Sequence, residues 1–375
     1  MTSEFVHLHN HSDYSLLDGA QKIDQLVNTI DDLNMDAVAL TEHGNMFSVL
    51  PYYKQAKKAG IKPIIGCEIY VAVGSRFEKK TRSDGGWGNN HLILLAQNFT
   101  GYKNLMKLVT AGYLEGFYYR PRIDMDLLRE YSEGLICMSA CLKGVVPEKM
   151  LKGDYEGARK EALLFSEIFQ DRYYLEIQNH GIPEEEQNLK NMKKLSQDLN
   201  LPLVCTNDAH YAKKEHWEAH DIHICLGTGK ERSDPNRLRY ATPEFYFKTQ
   251  DEMHKLFKEF PGAIENTRKI ADSIDITLPI GESHLPNFPI PKEANTSDPD
   301  EYLKSITESG AQNLYGEITP EIKKRMSHEL NVIKNMGFAG YFLITADFVE
   351  YAKKSSIPVG PGRGSAAGSL VSYAL

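Results

Sequence analysis

The sequence contains no apolar run long enough to cross a bilayer, and its first residues lack the basic and apolar regions of a secretory signal. Its five cysteines are an odd number and form no CxxC pair, which argues against a disulfide framework. It also lacks an excess of positive charge, since 43 Lys and Arg face 51 Asp and Glu, for a formal charge of -8. We therefore expect a protein of the reduced cytoplasm that is not bound to membranes. Any contact with nucleic acid would depend on local basic surfaces rather than on net charge.

What the sequence does contain is enough apolar material for an ordinary globular core. The 375 residues are 41% hydrophobic and 25% charged. This length corresponds to one large domain or to two or three smaller ones.

Short β-branched or apolar runs alternate with longer segments of helical spacing through the first two hundred residues. The predicted strands are Phe5–His9, Ala37–Thr41, Pro63–Val71, His91–Ala96, Gly134–Met138, Tyr173–Ile177 and Leu201–Thr206. The predicted helices between them are Lys22–Leu33, Val49–Ala59, Tyr102–Thr110, Tyr155–Phe169 and Glu184–Leu199. Such alternation is typical of a parallel α/β barrel.

The pattern changes after about Pro279. Residues 285–291 contain three prolines and are predicted to be an extended linker. Beyond them, Thr319 and Pro320 indicate a helix N-terminus, and Gly337 indicates its end. We therefore predict a first domain over residues 1–285 and a second that begins at 286 and continues to 375.

The strongest functional signal is a set of metal-ligand residue types at or just beyond the ends of the predicted strands. These residues are His9, His11, Asp18, His43, Glu68, His91, Cys141, Asp208 and His210. In a (β/α) barrel the strand ends meet at one face, where active sites are built. Imidazole, carboxylate and thiolate ligands suit zinc or a similar metal, and nine groups are too many for one tetrahedral ion. Any one of them alone would more often be a core or capping residue, so the prediction depends on the joint pattern.

The same motifs resemble a known family, the PHP (polymerase and histidinol phosphatase) domain. They are His9-x-His11, Asp18-Gly19, Thr41-Glu42-His43, Gly66-Cys67-Glu68, His91-Leu92, Ser139–Leu142 and Asn207–Tyr211. The wording of His11–Gly19 is similar to that of the PHP domain of the C-family bacterial replicases, the DNA polymerase III alpha subunits. The resemblance continues through residues 116–122 and 335–344. It implies a distorted (β/α)7 PHP barrel followed by the start of an α/β polymerase palm.

The resemblance also implies how the ligands divide among two or three divalent ions, with zinc or manganese expected. A first ion would take His9, His11, Glu68 and Asp208, and a second would take Glu68, His91 and Cys141. A third would take Asp18, His43 and His210. The implied chemistry is phosphodiester hydrolysis, with Asp18, His43, Glu68, Asp208 and His210 as the catalytic residues. On a polymerase the expected substrate is a primer 3′ end, which would make the domain a 3′–5′ proofreading exonuclease.

Several other residues are open to a structural interpretation. We predict a packing or supporting role for His7, although it shares a strand face with His9 and His11. His216, His220 and His223 have helical spacing and are expected to be ordinary helix residues. The segment Tyr118–Arg122 either contacts single-stranded DNA or packs against the barrel.

The sequence finishes with a run rich in glycine and serine, residues 359–370. By itself it is equally a tight turn or a phosphate-binding turn. The resemblance favours the palm loop in which Gly364 and Ser365 hold the triphosphate of an incoming nucleotide, with Arg363 adding a charged contact. In this family the magnesium-binding aspartates of the polymerase lie further along, so we expect these 375 residues to be part of a longer gene product and not to polymerise DNA alone.

The longer protein would be a DNA-directed DNA polymerase acting in replication. Its expected partners are primer-template DNA, dNTPs, magnesium, a sliding clamp and a proofreading subunit. Two alternatives stay open: a stand-alone PHP phosphatase of a small substrate, and a metal cluster that only braces the barrel.

Overall fold

A computed structural model describes residues 3–81, 88–282, 285–360, 362 and 364–375. Contacts divide the chain into two compact units, Met1–Leu278 and Pro279–Leu375. Within the described ranges, no helix is both long and apolar enough to pass through a membrane.

The first unit is a curled mixed sheet surrounded by helices. Its strands are β1 (Ala37–Leu40), β2 (Lys62–Ala72), β3 (Asn89–Ala96), β4 (Arg122–Ile123), β5 (Leu135–Met138), β6 (Tyr173–Ile177) and β7 (Leu203–Cys205). Its helices are α1 (Ile23–Asp32), α2 (Val49–Lys58), α3 (Phe99–Leu114), α4 (Met125–Glu130), α5 (Val145–Leu151), α6 (Tyr155–Phe169), α7 (Pro183–Leu199), α8 (Trp217–Thr228), α9 (Gln250–Phe257) and α10 (Ala263–Ser273). The sheet order is β1-β2-β3-β5-β6-β7, with β4 beside β2. This architecture confirms the predicted α/β barrel class.

The prediction of an entirely parallel sheet was wrong at one strand. β3 pairs antiparallel with both β2 and β5, while the β1–β2, β5–β6 and β6–β7 pairs are parallel. An alternation of apolar residues has no direction, so the sequence of β3 could not reveal its orientation. Because β3 is reversed, His91 near its start lies at the barrel end where the other strands finish.

The predicted first strand is held by single bridges rather than by a ladder. His7 bridges Val38, and Asn10 bridges Ala209. Backbone bonds support both sides, from Ala39 N–H to the His7 carbonyl at 2.8 Å and from His11 N–H to the Ala209 carbonyl at 2.9 Å. The segment 5–11, called here the closing segment, therefore joins the β1 edge of the sheet to the chain that follows β7.

The second unit, in its described residues, is built from helices. They are α11 (Pro299–Tyr315), α12 (Pro320–Asn335), α13 (Ala339–Lys354) and α14 (Leu370–Ala374). The predicted start of α12 is confirmed, since the Thr319 hydroxyl accepts a hydrogen bond from Ile322 N–H. Gly337 follows the end of that helix in the left-handed region at φ +70°, which confirms the predicted stop. Leu303, Ile333, Leu343 and Val371 pack together as the core of this unit.

Candidate metal centre

The nine predicted ligands converge at one end of the barrel. The closing segment supplies His9 and His11, which are fully buried. Asp18 follows in a turn, and Asp208 and His210 follow β7. Asp208 has a left-handed backbone, as does Ala140 just before Cys141, at φ +44° and +64°. Non-glycine residues seldom adopt this conformation, so these two turns are locally constrained beside the centre.

Three groups of ligand atoms lie close enough to share a metal ion, with all atoms in a group within 4.8 Å of one another. The groups are His9, His11, Glu68 and Asp208; Glu68, His91 and Cys141; and His11, His43 and His210. The first two have the membership implied for the first and second ions. In the third, His11 stands beside His43 and His210, and Asp18 lies next to that group. The Asp18 carboxylate is 3.1 Å from His43 Nε2 and 3.9 Å from His210 Nε2.

Glu68 is the centre of the arrangement, because its two carboxylate oxygens face different groups. Oε2 lies 2.9 Å from His9 Nε2 and 3.7 Å from His11 Nε2. Oε1 lies 2.5 Å from His91 Nδ1 and 3.0 Å from His43 Nδ1. A carboxylate whose two oxygens face different ligand groups in this way can bridge two ions.

The donor set fits divalent metal ions. Several of its buried atoms, namely His11 Nε2, Asp18 Oδ1 and Asp208 Oδ1, meet no hydrogen-bond geometry within the described structure, and they lie 3.1–3.2 Å from other atoms of the same ligand set. Burying such atoms without well-formed hydrogen bonds costs free energy, unless a ligand takes up the interaction. Imidazole, carboxylate and thiol groups together match zinc or a similar borderline metal.

Electrostatics favour carboxylates that are ionised and ready to bind a cation. Burial alone would raise the pKa of Glu68, but His91 and His43 hold that pKa well below its usual range. Burial likewise opposes ionisation of Asp208, whose pKa His9 and His210 keep low. Burial, together with His43 and His210, lowers the pKa of His11 to about 3, so this imidazole is neutral and its lone pair is available. Burial raises the pKa of the Cys141 thiol, so metal binding there would release a proton.

The predictions had missed Tyr240, a phenol that reaches the centre from the loop after α8. Its hydroxyl lies 2.9 Å from His210 Nε2 and 3.3 Å from Asp18 Oδ2. Beside it, His220 Nε2–H donates to the Asp18 carbonyl at 2.7 Å. His220 thus positions the Asp18 turn, and it joins no metal-type group among the described residues. No motif marks Tyr240, because it lies in a loop without regular structure.

Two buried glutamates, also missed, support the ligands from behind. Glu42 accepts hydrogen bonds from the Ser12 and Ser15 hydroxyls. Ser15 in turn contacts His11 Nδ1 at 3.1 Å and accepts from His43 N–H at 3.0 Å. Glu42 therefore fixes the turn that carries ligands of the third group.

Glu176, the second glutamate, lies 2.7 Å from His9 Nδ1, on the side of the ring opposite Glu68. It also accepts from Gln178 at 3.1 Å and from Thr206 at 2.5 Å. A carboxylate on the outer nitrogen of a ligating histidine fixes the tautomer and the orientation of the ring.

We expect Glu176→Gln to weaken metal binding about 10- to 100-fold, because the histidine loses its charged partner while the volume is kept. Competition with a chromogenic chelator measures this affinity. Glu167→Gln, on the exposed face of α6, is the matched control. Unchanged affinity in Glu176→Gln would show that His9 needs no such support.

Other predicted residues lie away from the centre. His7 packs between the Phe5 and Phe247 rings at 4.7 and 5.0 Å, and its Nε2–H donates to the Lys248 carbonyl at 2.9 Å. This is the packing role predicted for it.

The segment Tyr118–Arg122 was predicted either to contact single-stranded DNA or to pack against the barrel. It contains both buried and exposed residues. Arg122 is buried and donates to the carbonyls of Gly116 and Glu78, at 3.0 and 2.9 Å. Tyr119 and Arg120 are exposed.

In the second unit, Gly364 begins a 3-10 helix, Gly364–Gly368, that contains Ser365. Arg363, the third predicted nucleotide contact, lies outside the described residues. The triphosphate-binding role of this loop stays a prediction.

Comparison with known proteins agrees with both halves of the chain. Residues 7–180 match the PHP domain, and residues 301–375 match the bacterial DNA polymerase III alpha NTPase domain. DNA polymerase III subunit alpha of Borreliella burgdorferi is 51% identical over 376 residues, which cover 100% of this chain and 32% of the relative. The Treponema pallidum subunit is 46% identical over 99% of this chain and 32% of its own length. For the Thermus aquaticus subunit the identity is 37%, over 99% of this chain and 35% of its own length.

The chain thus spans about a third of the length of these relatives. Among solved structures, a two-domain protein from Bacteroides vulgatus containing a predicted PHP-like metal-dependent phosphoesterase aligns with a TM-score of 0.36 and 17% identity. That alignment covers 70% of this chain and 63% of the other.

Proposed function

Since this chain belongs to the family of the DNA polymerase III alpha subunits, we propose that its first unit is a metal-dependent phosphodiesterase that trims primer 3′ ends. The observation that carries this proposal is the convergence of nine ligand-type side chains at one barrel end, where several buried atoms meet no hydrogen-bond geometry. The longer protein would then join DNA synthesis and 3′–5′ proofreading in one polypeptide. Its dNTPs, magnesium, primer-template DNA and replicase partners such as a clamp belong to the same proposal.

In this proposal His9, His11, Glu68 and Asp208 hold one ion, and Glu68, His91 and Cys141 hold another. His43 and His210, with Asp18 beside them, hold a third. Bound ions of this type lower the pKa of a coordinated water and neutralise charge on phosphate oxygens.

The chain's own groups have distinct tasks. Asp18, His43 and His91 form the accessible edge of the centre, since their side chains are 12%, 17% and 13% exposed while the ligands His9, His11 and Glu68 are buried. The Asp18 carboxylate, 3.1 Å from His43 Nε2, holds this imidazole in a fixed orientation at that edge. The Tyr240 hydroxyl, next to Asp18, is placed to donate a hydrogen bond to a phosphate oxygen.

Trimming of a primer with a mismatched 3′ end tests the proposal. We expect shortening from the 3′ end when zinc or manganese is present, and loss of this activity in the Asp18→Asn, His43→Ala double variant. The double variant Asp24→Asn, His254→Ala, at exposed positions, is the matched control. A folded, metal-loaded chain that never shortens the primer would contradict the proposal.

One observation favours a second candidate, a cluster that braces the barrel without catalysis. His9, His11 and Glu68 are almost completely inaccessible, and each contacts ligands from other segments. Metal binding at such a place contributes directly to folding. The match of residues 301–375 to the bacterial DNA polymerase III alpha NTPase domain, in contrast, gives no support to a stand-alone phosphatase of a small substrate.

A further inference from the structure

Three exposed aromatic side chains form a row on the surface of the first unit: Phe47, Tyr113 and Phe117. The Phe47 and Tyr113 ring centroids are 6.3 Å apart, and those of Tyr113 and Phe117 are 6.2 Å apart with 25° between the planes. Their exposed fractions are 67%, 40% and 47%. Large rings that keep this much of their area in solvent, side by side, are available to a ligand.

This aromatic row begins beside the metal-type groups. Phe47 follows His43 by four positions, and between them the Gly44 backbone packs tightly, since a Cβ there would stand 2.8 Å from Pro121 and 2.9 Å from the Tyr70 ring. The Tyr70 ring contacts the His91 ring edge-on at 5.2 Å between centroids. A chain lying along the row is thus led to the edge of the centre formed by His43 and His91.

An exposed cation stands near the row although the whole chain is acidic. The exposed Arg120 guanidinium lies 5.7 Å from the Tyr70 ring, and it forms no ion pair with any described residue. Two acids of this region, Glu115 and Asp124, are engaged by another cation, since Arg76 binds them at 2.7 Å and 3.0 Å. A cation beside stacked rings is the combination that binds single-stranded nucleic acid.

We infer that the aromatic row stacks the bases of a single nucleic-acid strand while Arg120 pairs with its backbone, and that this holds the strand's end at the metal centre. This inference rests on the proposed function, because it names the surface that would present the primer end to the metal centre. Stacking on aromatic rings is tolerant of base identity, which suits a site that accepts any primer end.

The test measures binding rather than cleavage, using a fluorescent eight-nucleotide oligothymidylate with phosphorothioate linkages, which resist hydrolysis. We expect the triple variant Phe47→Leu, Tyr113→Leu, Phe117→Leu of the full 375-residue chain to bind at least about tenfold more weakly, because its side chains stay apolar but no longer stack. The matched triple Phe47→Tyr, Tyr113→Phe, Phe117→Tyr keeps every ring and is expected to bind as the wild type does. Thermal melting verifies that both variants are folded.

A strand of the same length without bases separates stacking from phosphate binding. The wild-type chain should bind it about as weakly as the leucine variant binds oligothymidylate. Equal binding of both strands by wild type, or undiminished affinity of the leucine variant, would overturn the inference. The latter result is also expected if the row instead docks an apolar protein segment. Failure to trim a natural primer with binding through the row intact would refute only the proposed nuclease.

Discussion

Glu68→Ala is expected to remove about two bound ions per chain and to lower phosphodiester hydrolysis about a thousandfold or more. Glu68 is shared by two of the three ligand groups, and its two oxygens face opposite sides. Its loss therefore opens both sites at once, and metal-bound water activation is worth several kcal/mol, or about three powers of ten in rate. Elemental analysis of the purified chain counts the ions, and steady-state hydrolysis gives the rate.

Glu68→Gln separates lost ligation from lost packing, since the amide keeps the volume and one weak oxygen ligand. It should fall between wild type and alanine in metal content. Glu167→Ala, on the solvent side of α6, is the control for removal of a negative charge. Full metal content in Glu68→Ala would show that the carboxylate is no ligand.

Metal removal is the second large effect, and we expect it to lower the melting temperature of the first unit by about 10 °C or more. Two or three ions that bind only the folded chain each contribute about 3 kcal/mol at a hundredfold excess over their dissociation constant. For a domain of this size each kcal/mol corresponds to about 2–4 °C. The measurement is thermal melting after chelation and again after zinc, manganese or magnesium is restored.

The Cys141→Ser variant tests which ion stabilises most, because the hydroxyl replaces the only thiol in the groups. It should lose more of the zinc-induced shift than of the manganese-induced shift, since thiolates prefer zinc. An identical melting temperature with and without metals would contradict metal binding altogether. A large metal-induced shift in melting temperature without any nuclease activity would favour a structural metal cluster over a catalytic one.

The ligand groups could be predicted because many ligand-type residues occur together at strand ends and because strand order brings them together. His9 and Asp208 are separated in sequence by most of the first unit. Because of this strand order, His9 Nε2 and Asp208 Oδ1 nevertheless lie 3.2 Å apart. Which residues form the third group was harder to predict from the sequence. Which imidazole faces which depends on ring orientation, and the His11 and His43 rings stack at 3.9 Å in a way that no spacing encodes.

The supporting residues were beyond the reach of sequence patterns. Glu176 occupies an inward position of an ordinary strand, where only its neighbours reveal a carboxylate paired with histidine. Tyr240 belongs to an irregular loop whose path is set by tertiary contacts, including the Tyr240–Phe245 rings at 4.5 Å. The predicted direction of β3 was wrong for a similar reason, because the strands with which β3 pairs, and not its local sequence, determine its direction.

The closing segment also determines the order in which the molecule can assemble. Its bridges join residues near the beginning of the unit to Ala209, and among the described residues it pairs with no adjacent strand in a hairpin. Contacts between such distant residues form slowly, because a long loop must be closed before any of them is gained. We therefore expect His9 and His11 to meet Asp208 only after the strands between them are in place. The centre would then form late in folding, and its metal content would report how many chains have completed the barrel.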